Sequence, residues 1–125
     1  MADGPRLAVV DDDPSVREAL RALLRSAGFS VEVFPSAEKF LACGHLSEFD
    51  CLLLDVRMDG MSGLELHDHL IASGSRTPVV FMTAHADATV RSRALAASEV
   101  RVLSKPFSED DLLQGIDALL ARERS

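Results

Sequence analysis

Basic residues are in short supply. Lys and Arg number 13 against 20 Asp and Glu, and the formal net charge is −7. Non-specific grip on a phosphodiester backbone depends on cationic side chains that displace counterions, so this balance excludes a chain whose main task is binding nucleic acid. It suits partners with basic surfaces, or a bound cation. Cysteine is equally sparse. Cys43 and Cys51 are the only two, and they show neither metal-ligand spacing nor an accompanying histidine pattern. They read as small apolar packing residues in a reducing compartment, not as a disulfide. No apolar run approaches the roughly 20 residues needed to cross a bilayer. The start "MADGPR" lacks the basic and apolar regions of a secretory signal, so the expected location is the cytoplasm, with no membrane partner. Internal repeats, low-complexity segments and internal linkers are also missing.

What is present is 125 residues of globular composition, 47% hydrophobic and 26% charged. A chain of this size buries about two-thirds of its unfolded surface, enough for one core, and we read residues 1–125 as one domain with its core at about 6–122. Short apolar runs alternate with amphipathic ones. "LAVV" (7–10), "SVEVF" (30–34), "CLLL" (51–54), "PVVFM" (78–82) and "VRVL" (100–103) are strand candidates, the second an outer one. Between them, 15–28, 36–44, 62–74 and 87–97 have helical spacing or helix start and stop signals, and 108–124 closes the chain with an apolar stripe behind an acidic first turn. Apolar runs without alternation are strands covered on both faces, as in a parallel sheet. The fold class is α/β, doubly wound, with five strands and five helices.

Open α/β sheets bind ligands beyond the carboxyl ends of their strands. Asp11, Asp12 and Asp13 follow the first run, Asp55 the third, Thr83 the fourth and Lys105 the fifth. Two carboxylates about 4 Å apart repel by roughly 4 kcal/mol at an effective dielectric near 20. Crowding Asp11, Asp12 and Asp55 therefore calls for a hard cation, and few protein oxygens with spare water positions suit Mg²⁺. Open metal positions go to phosphate oxygens, which Lys105 and Thr83 are suited to hold by point charge and hydrogen bond. Such a site transfers phosphoryl groups by positioning and charge neutralisation, with a carboxylate able to serve as nucleophile.

The segments "VVDDDPSVREAL", "CLLLDVRMDGMSGLEL", "PVVFMTAHAD" and "LSKPF", four motifs in order over nearly the whole chain, resemble the receiver domain of bacterial two-component response regulators. The resemblance implies a flavodoxin-like sheet with strand order 2-1-3-4-5. It implies that Asp55 accepts a phosphoryl group from a sensor histidine kinase, a histidine phosphotransfer protein or a small phosphodonor. Mg²⁺ would be held by Asp12 and Asp55 directly, by Asp11 partly through water, and by the backbone carbonyl of Arg57. Thr83 would bond a phosphoryl oxygen and shift inward, and Lys105, before a cis bond to Pro106, would pair with the phosphate. The surface of helix 87–97, strand 100–103 and the final helix is where such domains dimerise or dock partners. Such a domain is a phosphoacceptor switch and not an enzyme beyond its own phosphoryl transfer and hydrolysis.

Three positions depart from that pattern. Asp59 stands where proline usually follows the methionine of "MDGMSG". Val102 stands where an aromatic ring usually swings inward as the switch, which leaves the readout through Thr83 without its ring. Ser98 stands where a glycine usually precedes the last strand. A degenerate receiver that only binds a partner is therefore one alternative. Another is a phosphatase of the haloacid-dehalogenase type, with Asp11 as nucleophile and Asp13 as acid, though it leaves Asp55 without a role. Plainer readings cover the rest. Asp13 before Pro14 caps a helix. His67 and His69 are ordinary surface or half-buried residues. His85 and Arg57 lie at the site rim. Phe29, Phe34, Phe40, Phe49 and Phe81 are core, with Phe107 at the base of a loop. Within these residues there is no helix-turn-helix, zinc pattern or catalytic output unit, so any DNA binding lies outside them.

Overall fold

The apolar runs form the interior of one parallel sheet in a computed structural model that describes residues 4–84 and 88–124, with side chains to Ala121. Its strands are β1 (Arg6–Val10), β2 (Ser30–Phe34), β3 (Cys51–Asp55), β4 (Val79–Thr83) and β5 (Val100–Ser104). They lie in the order β2-β1-β3-β4-β5, all parallel, as the doubly wound class requires. The helices are α1 (Pro14–Ser26), α2 (Ala37–Leu41), α3 (Gly63–Ala72), α4 (Ala88–Ala96) and α5 (Glu109–Arg124), with one 3-10 turn at Leu46–Glu48.

Every residue of β3 and β4 is buried, because helices cover both faces of the sheet. The two-residue period of a strand then divides each run between two cores. Leu52 and Leu54 of β3 join Val10, Phe34, Phe40, Leu66 and Phe81 on one face. Cys51 and Leu53 join Leu7, Val9, Leu24, Met82, Leu112 and Ile116 on the other. Phe40 meets Phe34 edge-on, with centroids 5.2 Å apart. Phe29 is only partly buried, and Phe107 packs against the second core from its margin.

Local chemistry sets the helix starts. Asp13 accepts a hydrogen bond from the Ser15 backbone N–H at 2.8 Å, and Pro14 occupies the first helical turn. Ser62 and Glu65 form a reciprocal capping box at α3. The expected helix 36–44 closes early. Only Ala37–Leu41 is helical, capped by Ser36, and the chain then turns into Leu46–Glu48. Of the expected helix 87–97, α4 covers Ala88–Ala96.

The register brings the carboxyl ends of the strands level. Val10 pairs with both Phe34 and Leu54, Asp55 with Met82, and Thr83 with Ser104. Whatever follows β1, β3, β4 and β5 is thereby delivered to one edge. Gly63 secures that edge from below. A side chain there would collide with the Asp55 carbonyl, so only glycine lets α3 start against the end of β3.

Candidate phosphoryl and metal site

Asp11 leaves β1 fully buried. Its N–H donates to the Phe34 carbonyl at 3.2 Å, and its Oδ1 accepts the Asp13 N–H at 2.9 Å. Arg17 of α1 donates to its carbonyl at 2.8 Å. The second oxygen, Oδ2, is left facing Lys105. Asp55, at the end of β3, is 7% exposed. Lys105 Nζ lies 3.4 Å from Asp11 Oδ2 and 3.4 Å from Asp55 Oδ1, one ammonium between two carboxylates. Thr83 is buried one residue beyond the partner of Asp55 on β4, and its carbonyl accepts the Lys105 N–H at 2.7 Å. The bond from Lys105 to Pro106 is cis, as the resemblance implies. Asp12 is exposed at the rim.

Asp11, Asp12 and Asp55 each present an oxygen within 4.8 Å of the others. One ammonium does not balance three carboxylates so placed. Burial raises the Asp55 pKa, the neighbouring Asp11 charge raises it further, and Lys105 offsets only part, leaving it at about 6. Burial works against the Lys105 ammonium too, but Asp11 and Asp55 outweigh it and its pKa ends above the ordinary lysine value. The donors are hard oxygens gathered on one side, which fits a small divalent cation that keeps several positions for other ligands.

Arg57 is exposed on the loop after β3. With Asp12, Val56, Met58, Asp59, Ser62 and Leu64 it lines a hollow of about 410 Å³ beside the cluster. His85 lies outside the described residues. Val102, at the sequence position where the resemblance implies a mobile ring, is half-buried and packs against the core that contains Phe81 and Val90. The structure therefore brings Asp11, Asp12, Asp55, Thr83 and Lys105 to one edge, with Arg57 at its margin.

Three features were not legible in the sequence. The Asp59 N–H donates to Asp12 Oδ2 at 3.4 Å, and Glu38 of α2 accepts the Met61 N–H at 3.0 Å. His67 is buried, neither at the surface nor half-buried as expected. Its ring meets Phe81 edge-on, and its Nδ1 lies 3.2 Å from Arg93 Nη1 of α4. All three join segments distant in sequence. The only local hint was the alternation of His67 with the exposed Asp68 on the apolar side of α3.

Residues 7–117 match the family model described as the response regulator receiver domain. The chain belongs to the response regulator receiver family. This receiver is 44% identical over 112 residues to the response regulator protein TodT of Pseudomonas putida, a match covering 90% of this chain and 49% of TodT. It thus spans about half the length of such curated relatives. Among solved structures, the response regulator StyR superposes with a TM-score of 0.85 at 49% identity, over 96% of this chain and 62% of StyR. The response regulator protein TrrA of Thermotoga maritima, in complex with Mg²⁺ and BeF, gives a TM-score of 0.79 at 27% identity, over 93% of this chain and 99% of TrrA.

Proposed function

We propose that this receiver stores a phosphoryl group on Asp55, taken from a sensor histidine kinase, a histidine phosphotransfer protein or a small phosphodonor. The observation that carries the reading is Lys105 Nζ poised 3.4 Å from both Asp11 and the nearly buried Asp55 within a three-carboxylate cluster. Asp11, Asp12, Asp55 and the Arg57 carbonyl are the groups suited to hold Mg²⁺. When bound, that ion neutralises the crowded carboxylates and the phosphoryl oxygens during transfer. An Asp55 oxygen attacks phosphorus in line, and the bond from phosphorus to the donor breaks as the donor leaves with its electron pair. The product is an acyl phosphate on Asp55. Lys105 pairs with one phosphoryl oxygen and the Thr83 hydroxyl donates to another. The relative TrrA holds Mg²⁺ and BeF, which supports this chemistry for a chain that shares its fold.

Phosphorylation adds negative charge at the edge where β4 and β5 end, and the face that responds is α4, β5 and α5. That face suits a second copy or another protein, and Leu95 of α4 stands 90% exposed on the helix. The domain contacts no nucleic acid itself and works in the cytoplasm, as a signalling domain whose only chemistry is its own phosphoryl transfer and hydrolysis. Residues 6–122 act as one unit.

The test is treatment with acetyl phosphate and Mg²⁺ followed by intact-mass analysis. A gain of one phosphoryl group, lost in Asp55→Asn, is the expected result. Label trapped on Asp11 would move the chain to the phosphatase reading. No gain, with Asp55→Asn behaving like wild type, would leave a receiver that only binds partners.

A further inference from the structure

The loop 57–61 runs from the end of β3 to the cap of α3 and carries two groups of the proposed metal site, the Arg57 carbonyl and the Asp59 N–H on Asp12 Oδ2. Its two ends are fixed. The Val56 N–H donates to the Met82 carbonyl at 3.0 Å, and the Ser62 N–H donates to Glu65 Oε1 at 2.9 Å. Between those anchors the backbone receives support from a different part of the fold. Glu38 Oε2 of α2 accepts the Met61 N–H at 3.0 Å. Gly60 has φ +75°, and a Cβ at that position would meet Glu38 Oε2 at 2.8 Å. The carboxylate thus occupies the space a side chain at position 60 would need. The base of Glu38 is firm, because its neighbours Ala37 and Phe40 are both fully buried. The Met61 N–H, with the Glu38 amide, holds this carboxyl below the ordinary carboxylate range, consistent with a charged acceptor at neutral pH.

We propose that Glu38 is a positioning residue for the cation and phosphoryl site: from α2 it clamps backbone 60–61 and so holds the Arg57 carbonyl and the Asp59 N–H against Asp12. Asp59 gives the clamp its second contact. The proline usual at this position has no N–H, whereas Asp59 donates to the Asp12 carboxylate. Groups that orient metal ligands are often nearly as important as the ligands. This inference rests on the reading of Asp11, Asp12 and Asp55 as a Mg²⁺ site.

The experiment compares wild type, Glu38→Ala, Glu38→Gln and the same-helix control Lys39→Ala. Isothermal titration with MgCl₂ gives affinity, and NMR amide hydrogen exchange in EDTA reads the metal-free loop. In Glu38→Ala the Mg²⁺ Kd rises about tenfold, the low end of the loss when support to a metal ligand is removed. Exchange at Asp59, Gly60 and Met61 quickens while the strand amides stay protected. Glu38→Gln keeps an acceptor oxygen and recovers most of the affinity, and Lys39→Ala resembles wild type. The proposal is overturned if Glu38→Ala binds Mg²⁺ as tightly as wild type, or if its faster exchange stops at Met61 and never reaches Asp59. A Glu38→Gln variant as weak as Glu38→Ala overturns it as well. Wild-type protein that takes up no Mg²⁺ at millimolar concentration overturns the metal-site reading instead.

Discussion

At the scale of single residues, the site is a problem of charge that Lys105 offsets only in part. Its side chain remains 28% exposed while those of Asp11 and Asp55 are 1% and 10% exposed. Removing one partner of a fully buried pair costs about 3–5 kcal/mol, mainly through the charge left behind. With Lys105 partly solvated, Lys105→Met in metal-free buffer is expected to cost less, about 1–3 kcal/mol, as a lower urea midpoint with an unchanged slope. Removing a negative charge acts in the opposite direction. Asp55→Asn in EDTA is expected to unfold at higher temperature than wild type, because the amide escapes the cost of burying a charge and then the repulsion from Asp11. Added Mg²⁺ raises the wild-type midpoint and narrows the gap. Thermal unfolding followed by circular dichroism reads both effects. A wild-type midpoint that ignores Mg²⁺ would refute the view that a cation relieves this crowding.

At the scale of elements, strands were the most legible parts. "CLLL" and "PVVFM" are apolar at every position because both faces of the sheet are covered, and no other arrangement hides such runs so simply. Asp55 and Thr83 could be placed because each directly follows such a run, and Lys105 because it lies two residues beyond the more mixed run "VRVL". Contacts between helices left no comparable trace. His67 shows why. The pattern of α3 marks an apolar side, but only the fold puts Phe81 of β4 and Arg93 of α4 against that ring. Arg93 also bonds Asp68 at 2.8 Å, so one guanidinium ties α4 to two residues of α3. Burial, then the Arg93 charge, lowers the His67 pKa, against weaker opposing effects from Asp68 and Glu99. A histidine with a folded pKa below its unfolded value of about 6.5 is protonated preferentially in the unfolded chain. Its neutral form supports the fold above that pH, and the support is lost as pH falls through 6.5 toward the lowered value. The wild-type urea midpoint is therefore expected to fall more steeply below pH 6.5 than that of His67→Gln. His45 has the opposite sign, since its bond to Glu32 raises its pKa, but it is common to both proteins and cancels in the comparison. Arg93→Met should bring the His67 pKa back toward the ordinary value, read from the ring proton shifts. Parallel pH profiles for wild type and His67→Gln would refute this account.

At the scale of the whole molecule, a parallel sheet with level strand ends turns five separate sequence positions into one site, which is why a one-dimensional reading could assemble it. The same geometry sets the ends of β4 and β5 side by side. Thr83 and Lys105 leave adjacent strands, joined by a backbone hydrogen bond of 2.7 Å, and α4 and α5 flank them. Val102 of β5 packs in the same core as Val90 of α4, and α4, β5 and α5 form the face proposed to respond. Leu95 is its most exposed large apolar side chain, at 90%. Burying a leucine is worth about 1.5–3 kcal/mol, and 1.4 kcal/mol is a factor of ten in affinity. If phosphorylation drives two copies together through this face, beryllofluoride with Mg²⁺ should shift sedimentation from monomer toward dimer. Leu95→Glu should then weaken the dimer by at least about tenfold, since it removes that burial and adds a charge to a chain already at −7. The variant's acetyl phosphate labelling should be unchanged, because Leu95 lies on α4, away from the carboxylate cluster. A sedimentation coefficient that does not respond to beryllofluoride would refute self-association as the output. A dimer equally strong in Leu95→Glu would place the contact on a different face.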